Sequence, residues 1–256
     1  MRPYRWLRPI ALLSGWILAA GLVAPPGARA QAESQDFDRA RADMVMMVQI
    51  EVMLSSEVTG LDEIDPRILK AMTDVPRHAF VPEELRPYAY GNHPLPLGHG
   101  QNLAAPFLVA LMTQLARPEP DDVVLETGTG AGYHAAVLSL LVAEVYSVEV
   151  VEPLAEAAAV TLRRLGYDRV QAKTGDGYYG WRSRAPFDAI IVKEAVDHVP
   201  VPLLDQLKPG GRLVIPLGSE LGPQYLTVVE KAADGSLSRR RVLPVRFSVL
   251  QGGKRT

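Results

Sequence analysis

Three acids in this sequence, Glu126, Glu149 and Asp176, each follow a short apolar or strand-like run, and they are the side chains best placed to hold a ligand. Glu126 heads the stretch Thr127-Gly128-Thr129-Gly130-Ala131-Gly132-Tyr133. Glycines permit close backbone approach and positive φ, and open α/β sheets bind ligands at the carboxyl ends of their strands. A dinucleotide site needs G-x-G-x-x-G, with the pyrophosphate on the helix N-terminus. Here the third glycine falls one residue early, at Gly132, and Tyr133 takes the dinucleotide position. A carboxylate at Glu126 repels a pyrophosphate and suits a ligand that carries an ammonium and a sulfonium and no phosphate. Glu149, 17 residues beyond Gly132, is placed to accept hydrogen bonds from both ribose hydroxyls. Asp176, in Gly175-Asp176-Gly177, can accept from an adenine amino group. Singly these signals are weak, since a glycine turn is often only a tight turn and an acid after a strand usually meets solvent or caps a helix. In order, on three successive strand ends, they point to S-adenosylmethionine.

Other chemistry is thin. The chain has no cysteine, which excludes disulfides, thiolate metal sites and a cysteine nucleophile. Its five histidines are scattered singly, so no metal site is expected. His134 is read as touching the cofactor edge or solvent, and His78 as a packed or capping side chain. His93 and His99 are read as lining an acceptor cleft beside Asn102. Met44, Met46, Met47 and Met53 are read as helix core.

These residues need a scaffold, and the hydrophobic pattern supplies one. Apolar residues recur at helical spacing over 38–55, after a polar, flexible lead-in over 31–36. Asp65-Pro66 announces a second helix over 65–73. The proline-, glycine- and histidine-rich segment 77–101 is expected to be irregular, and a helix over 105–115 follows it. Strands and helices then alternate: strands at 123–125, 145–150, from 170, at 187–192 and 212–217, and helices over 131–142, 154–165 and around 203–207. The turn Pro209-Gly210-Gly211 precedes the last of these strands, and the runs 225–231 and 238–247 form an antiparallel pair around Asp234-Gly235. The expected fold is α/β and Rossmann-like: a mainly parallel twisted sheet with helices on both faces and a small N-terminal helical appendage. The expected organisation is a signal peptide over 1–30, a helical and loop region over 31–120 packing on the core, and a cofactor-binding core over 121–256.

The N-terminus carries Arg2, Arg5 and Arg8, an uncharged and mostly apolar run over 10–23, and then Ala28-Arg29-Ala30 before Gln31. This reads as an export signal leading to the periplasm, because the apolar run is shorter than the roughly 20 residues of a membrane span; the alternatives are an uncleaved anchor and, if the signal is not used, a cytoplasmic protein. Without those 30 residues, which hold four arginines and no acid, 23 basic groups face 29 acidic ones. A body of charge −6 has no attraction for nucleic acid or anionic lipid. A monomer without stable membrane association is expected once the signal is removed.

The sequence closely resembles the protein-L-isoaspartate O-methyltransferases from about residue 36 to residue 250. The likeness runs through Val75-Pro76-Arg77-His78-Ala79-Phe80-Val81-Pro82, Pro94-Leu95-Pro96-Leu97-Gly98, the glycine turn, Val145-Tyr146-Ser147-Val148-Glu149 and Gly175-Asp176-Gly177. It continues in Pro186-Phe187-Asp188-Ala189-Ile190-Ile191-Val192, Leu207-Lys208-Pro209-Gly210-Gly211-Arg212-Leu213 and Leu243-Pro244-Val245-Arg246-Phe247. The stretches 77–82 and 94–98 are the most particular to that family. The resemblance implies methyl transfer from S-adenosylmethionine to the free α-carboxylate of L-isoaspartyl residues in damaged proteins or peptides. A carboxylate is already ionised at neutral pH, so catalysis is mostly orientation. The expected cofactor set is Gln101, Glu126, Gly128, Gly130, Gly132, Glu149, Asp176 and Gly177.

Two departures from the family pattern fall on the acceptor side. Where the family reads Thr-Ile-Ser-x-Pro, this chain has Asn102-Leu103-Ala104-Ala105-Pro106, so Ala104 replaces the serine usually assigned to the active site and Asn102 the threonine. Loss of a hydrogen bond to a charged group removes about 1.5–3 kcal/mol, enough to slow the reaction about ten- to a hundredfold. After the fourth strand, Lys193-Glu194-Ala195-Val196 replaces small residues. Lys193 is read either as a cation beside the methyl acceptor or as half of a solvated rim pair with Glu194. These departures keep two alternatives open, a methyltransferase with another acceptor and a non-catalytic nucleoside-binding module.

Overall fold

The computed structural model describes residues 26–252, with side-chain surroundings from residue 36 onward. Arg2, Arg5, Arg8 and the apolar run over 10–23, read as part of an export signal, lie outside the described residues. Phe37–Thr256 forms one compact unit and Met1–Asp36 a separate one.

Helix α1 spans Pro26–Leu54, so 31–36 is helical where a flexible lead-in was expected. A proline in the first turn and a run of Ala, Gln, Glu and Arg favour helix there. Met44, Val48 and Val52, four residues apart, are buried. Met46, Met47 and Met53 are 55%, 43% and 61% exposed. They sit on the opposite face, so of the four methionines read as core only Met44 belongs to it. After α2 (Ser56–Thr59), α3 (Pro66–Asp74) is capped by Asp65, whose Oδ1 accepts from Arg67 N at 2.7 Å.

The segment expected to be irregular holds two 3-10 turns, Arg77–Phe80 and Glu83–Tyr88, and a hairpin of β1 (Leu95–Gly98) with β2 (Gln101–Leu103). Helix α4 (Pro106–Ala116) follows. The core elements are β3 (Val123–Thr127), α5 (Tyr133–Ser139), β4 (Glu144–Glu149), α6 (Glu152–Arg164), β5 (Val170–Thr174), β6 (Phe187–Val192), α7 (Val201–Gln206), β7 (Leu207–Gly218), β8 (Gln224–Lys231) and β9 (Leu237–Val245).

The seven strands lie in the order β5-β4-β3-β6-β7-β8-β9, parallel through β7 and antiparallel at β8 and β9. Neighbouring residues of one strand feed opposite apolar layers: Val124 and Ile191 join one, Leu125 and Ile190 the other. The chain leaves β3 toward β4 and returns at β6, which makes the β3–β6 boundary a topological switch point. Helix α5 starts at Tyr133 and not at the expected 131 because Gly130 and Gly132, at φ 56° and 92°, hold Ala131 in the turn, and it ends at Ser139, short of the expected 142. Strand β7 starts before the expected 212 because Leu207 pairs with Phe187 across a bulge that absorbs Pro209-Gly210-Gly211.

Candidate active site

A cleft with about 900 Å³ of open space lies at the carboxyl ends of β3 and β6. Gly128, Thr129 and Gly130 form its floor, Gln101 to Ala105 one wall, and Glu149, Lys193, Glu194 and Arg246 to Ser248 further parts of its lining. The turn is anchored by Gly128 N, which donates to Val148 O at 2.8 Å. Glu149 is oriented by two backbone donors, Gly130 N to Oε2 at 2.8 Å and Val151 N to Oε1 at 2.9 Å. Each oxygen keeps a lone pair for a further donor. An acid already fixed in direction, beside a glycine turn, fits a nucleoside with a free ribose.

Of the expected cofactor set, Gln101, Gly128, Gly130 and Glu149 line the cleft, and Glu126, Gly132, Asp176 and Gly177 do not. Glu126 is fully buried beneath the turn. Its register partner on β4 is Ser147, whose hydroxyl donates to Oε2 at 2.6 Å. Lys193 Nζ stands 2.6 Å from Oε1, an ion pair by distance without an aligned hydrogen bond. Burial raises the Glu126 carboxyl above its ordinary value, against the lowering effect of Lys193 and Ser147. The charge expected to meet the ligand is therefore met by the protein itself.

Gly132 opens α5, where a Cβ would stand 3.1 Å from the Leu162 side chain of α6, so its role is close helix packing. Asp176 caps the 3-10 turn Gly177–Tyr179, its Oδ1 accepting from Tyr178 N at 2.9 Å. The C-terminal stretch runs against its other oxygen, which a Cβ on Gly252 would meet at 2.0 Å. Gly177 packs on Thr127, whose Cβ lies 2.8 Å from where its own Cβ would stand.

Lys193 lines the cleft with 12% of its side chain exposed, so the solvated Lys193–Glu194 rim pair is not present. Glu194 turns the other way. Its Oε2 accepts from Thr127 Oγ1 at 2.9 Å, and Oε1 lies 1.8 Å from where a Cβ on Gly128 would stand. Burial pushes this carboxyl up to about 7.

His134 also lines the cleft but does not reach solvent, being 2% exposed. Thr113 Oγ1 donates to Val109 O at 2.7 Å, so it accepts from His134 Nε2–H at 2.8 Å. The ring is thus the Nε2–H tautomer. Burial, with Lys193 and Arg77 nearby, holds its pKa well below 6.5. Neutral, it forms no ion pair with Glu126 Oε1 at 3.7 Å. His93 and His99 do not line the cleft, although Pro94 and Leu97 of the same segment do. His78 is packed as expected, stacked on Phe37 at 4.0 Å and bonded to Tyr90 OH at 2.7 Å.

Asn102 and Ala104 line the same cleft as Arg246 and Ser248. Arg77 fixes this loop from behind. Its side chain is fully buried, with Nε donating to Ala89 O and an Nη to Ala104 O, each at 2.7 Å. Its guanidinium lies 4.7 Å over the Tyr133 ring, and burial lowers its pKa to about 10, so it stays charged at neutral pH. Sequence reasoning assigned no site role to Arg77, Glu194, Arg246 or Ser248. An arginine between Pro76 and Ala79-Phe80 in a stretch particular to one family was a usable signal. Nothing local marked the other three.

Residues 49–255 match the family model described as protein-L-isoaspartate(D-aspartate) O-methyltransferase (PCMT). A Cupriavidus necator protein named protein-L-isoaspartate O-methyltransferase 1 is 52% identical over 212 residues, 83% of this chain and 82% of its own. A Syntrophobacter fumaroxidans protein named protein-L-isoaspartate O-methyltransferase 2 is 49% identical over 227 residues, 89% of this chain and 92% of its own. A solved protein-L-isoaspartate O-methyltransferase superposes with a TM-score of 0.71 at 30% identity, covering 83% of this chain and 66% of that one. A Plasmodium falciparum structure, described as a putative protein-L-isoaspartate O-methyltransferase in complex with S-adenosyl-L-homocysteine, shares the fold at TM-score 0.66 and 22% identity, over 80% of this chain and 97% of that one. About half of all aligned residues are shared with the two bacterial relatives across most of their lengths, and the chain therefore belongs to the protein-L-isoaspartate O-methyltransferase family, whose members are S-adenosylmethionine-dependent enzymes.

Proposed function

We propose that this chain methylates the free α-carboxylate of L-isoaspartyl residues in damaged proteins or peptides, as a monomer, outside the cytoplasm. The observation that carries this reading is the joining of two half-sites in one cleft. The glycine turn and Glu149 would seat the nucleoside, and the loop fixed by Arg77 lines the same cleft together with Arg246 and Ser248. S-adenosylmethionine, when bound, supplies an activated methyl group that leaves its sulfur as a neutral thioether. The protein's part is placement. Glu149, held by the Gly130 and Val151 amides, would receive the ribose hydroxyls beside the glycine turn. Arg246 gives the incoming carboxylate a cation, while the Asn102 amide and the Ser248 hydroxyl offer hydrogen-bond donors that Ala104 cannot. No general base is required, because the acceptor arrives ionised, and His134 is occupied in holding Thr113.

Labelled methyl transfer to an isoaspartyl peptide, with its aspartyl twin as control, tests the acceptor. Incorporation into the isoaspartyl form alone is expected, and equal or no incorporation into both overturns it. Export is supported by Arg2, Arg5 and Arg8 before the apolar run over 10–23 and by Ala28-Arg29-Ala30. Recovery of the chain in the periplasmic fraction is expected, and retention in the cytoplasm or membrane pellet refutes it. Size-exclusion chromatography with light scattering checks the monomer.

A further inference from the structure

The cleft contains a carboxylate that the family pattern does not account for. Glu194 directly follows Lys193, in the run where the sequence departs from what the family resemblance implies, and the two side chains diverge. Lys193 turns inward and engages Glu126, which is fully buried and does not line the cleft. Glu194 lies on the ligand side of the glycine turn, held by Thr127 and pressed onto Gly128. We propose that Glu194 is the carboxylate that receives the α-ammonium of the bound cofactor, the place that a strand-end acid at position 126 would otherwise hold. The inference rests on the cofactor assignment and not on the identity of the methyl acceptor.

The charge balance supports this exchange of roles. An acid at position 126 that is neutralised by a lysine presents no net charge to a cation above it. A second acid in contact with the turn restores one. Any side chain at Gly128 would collide with Glu194, so the turn and this carboxylate form one surface. Thr127 donates to Oε2 and fixes the direction of the group, leaving Oε1 for the ligand.

The groups facing Glu194 also set its proton affinity. Burial raises it most, the Thr127 hydrogen bond lowers it, Glu149 from β4 and Glu126 from β3 oppose ionisation, and Lys193 from its own loop favours it. Arg246 and His134 of α5, the latter neutral, also line the cleft. With its carboxyl near 7 in the free protein, part of the population must lose a proton before it can hold a cation. Binding of an ammonium ligand should therefore release a proton near neutral pH. The affinity should fall about tenfold between pH 8 and pH 6.

The test uses the full chain, isothermal titration calorimetry and two probes, S-adenosylhomocysteine and its analogue lacking the amino group. Glu194→Gln keeps the shape and removes the charge. It should weaken S-adenosylhomocysteine about ten- to a hundredfold, leave the deaminated analogue within about twofold, and flatten the pH dependence. Glu194→Asp should recover part of the loss. Equal weakening of both probes, unchanged binding, or tighter binding by Glu194→Gln would each overturn the proposal, the last by making Glu194 an obstruction. A wild-type chain that binds neither probe refutes the cofactor assignment together with it. A chain that binds S-adenosylhomocysteine yet fails to methylate isoaspartyl peptides refutes only the acceptor reading. Circular dichroism of each variant checks that the fold is retained.

Discussion

Replacing Lys193 with methionine should destabilise this protein far more than an ordinary change at a cleft wall. The lysine ammonium stands 2.6 Å from a fully buried carboxylate, Glu126. Breaking a buried pair by removing one partner costs about 3–5 kcal/mol, because the remaining charge is left without compensation. Lys193 keeps 12% side-chain exposure and Ser147 still donates to Glu126, so the lower end, about 3 kcal/mol, applies. For a chain of this size that corresponds to a drop in Tm of about 6–12 °C. The pH dependence has a definite sign. The Glu126 carboxyl is raised in the folded chain, so across the window above the ordinary carboxylate value the unfolded state binds fewer protons. Stability then falls as pH rises through that window. Lys193 favours ionisation of Glu126, so losing it raises the carboxyl further, and the deficit of Lys193→Met should be smaller near pH 5 than near pH 8. Urea unfolding followed by circular dichroism at both pH values reads this directly. The double variant Glu126→Gln with Lys193→Met removes both charges and should regain most of the loss. A single variant within about 1 kcal/mol of wild type at pH 8, with no pH dependence, would show that the pair is not a buried charge compensation.

Three further outcomes follow from the same geometry. Ala104→Ser restores a hydroxyl at the acceptor end and should raise kcat/KM for an isoaspartyl peptide about tenfold while leaving the affinity for S-adenosylhomocysteine unchanged. Arg77→Met leaves two carbonyls without their donors and should cost about 2–5 kcal/mol. Arg77→Lys, which can keep the charge and one bond, should lose less in a thermal melt. Folded Lys193→Ala protein separates the two readings of that lysine: an unchanged KM for the peptide would remove Lys193 from acceptor binding.

The sequence alone determined the mainly parallel sheet and four of the expected cofactor residues that line the cleft, Gln101, Gly128, Gly130 and Glu149. Strand periodicity and glycine spacing are local properties, and Glu149 is legible because a strand end and a turn place it with no help from distant residues. The family-specific stretches 77–82 and 94–98 likewise announced the chemistry. What the tertiary structure decided is where charges face. Glu126 and Lys193 are 67 positions apart in the chain and meet only because β6 lies beside β3 in the sheet. That adjacency consumes one predicted ligand acid and frees the neighbouring Glu194 to face the cleft. Asp176 was assigned to the ligand from its strand end, yet its carboxylate closes a turn and meets a C-terminal stretch whose path no local pattern encodes. Side-chain direction at a site depends on which distant groups offer a better partner than water, and only the folded chain brings those partners within reach.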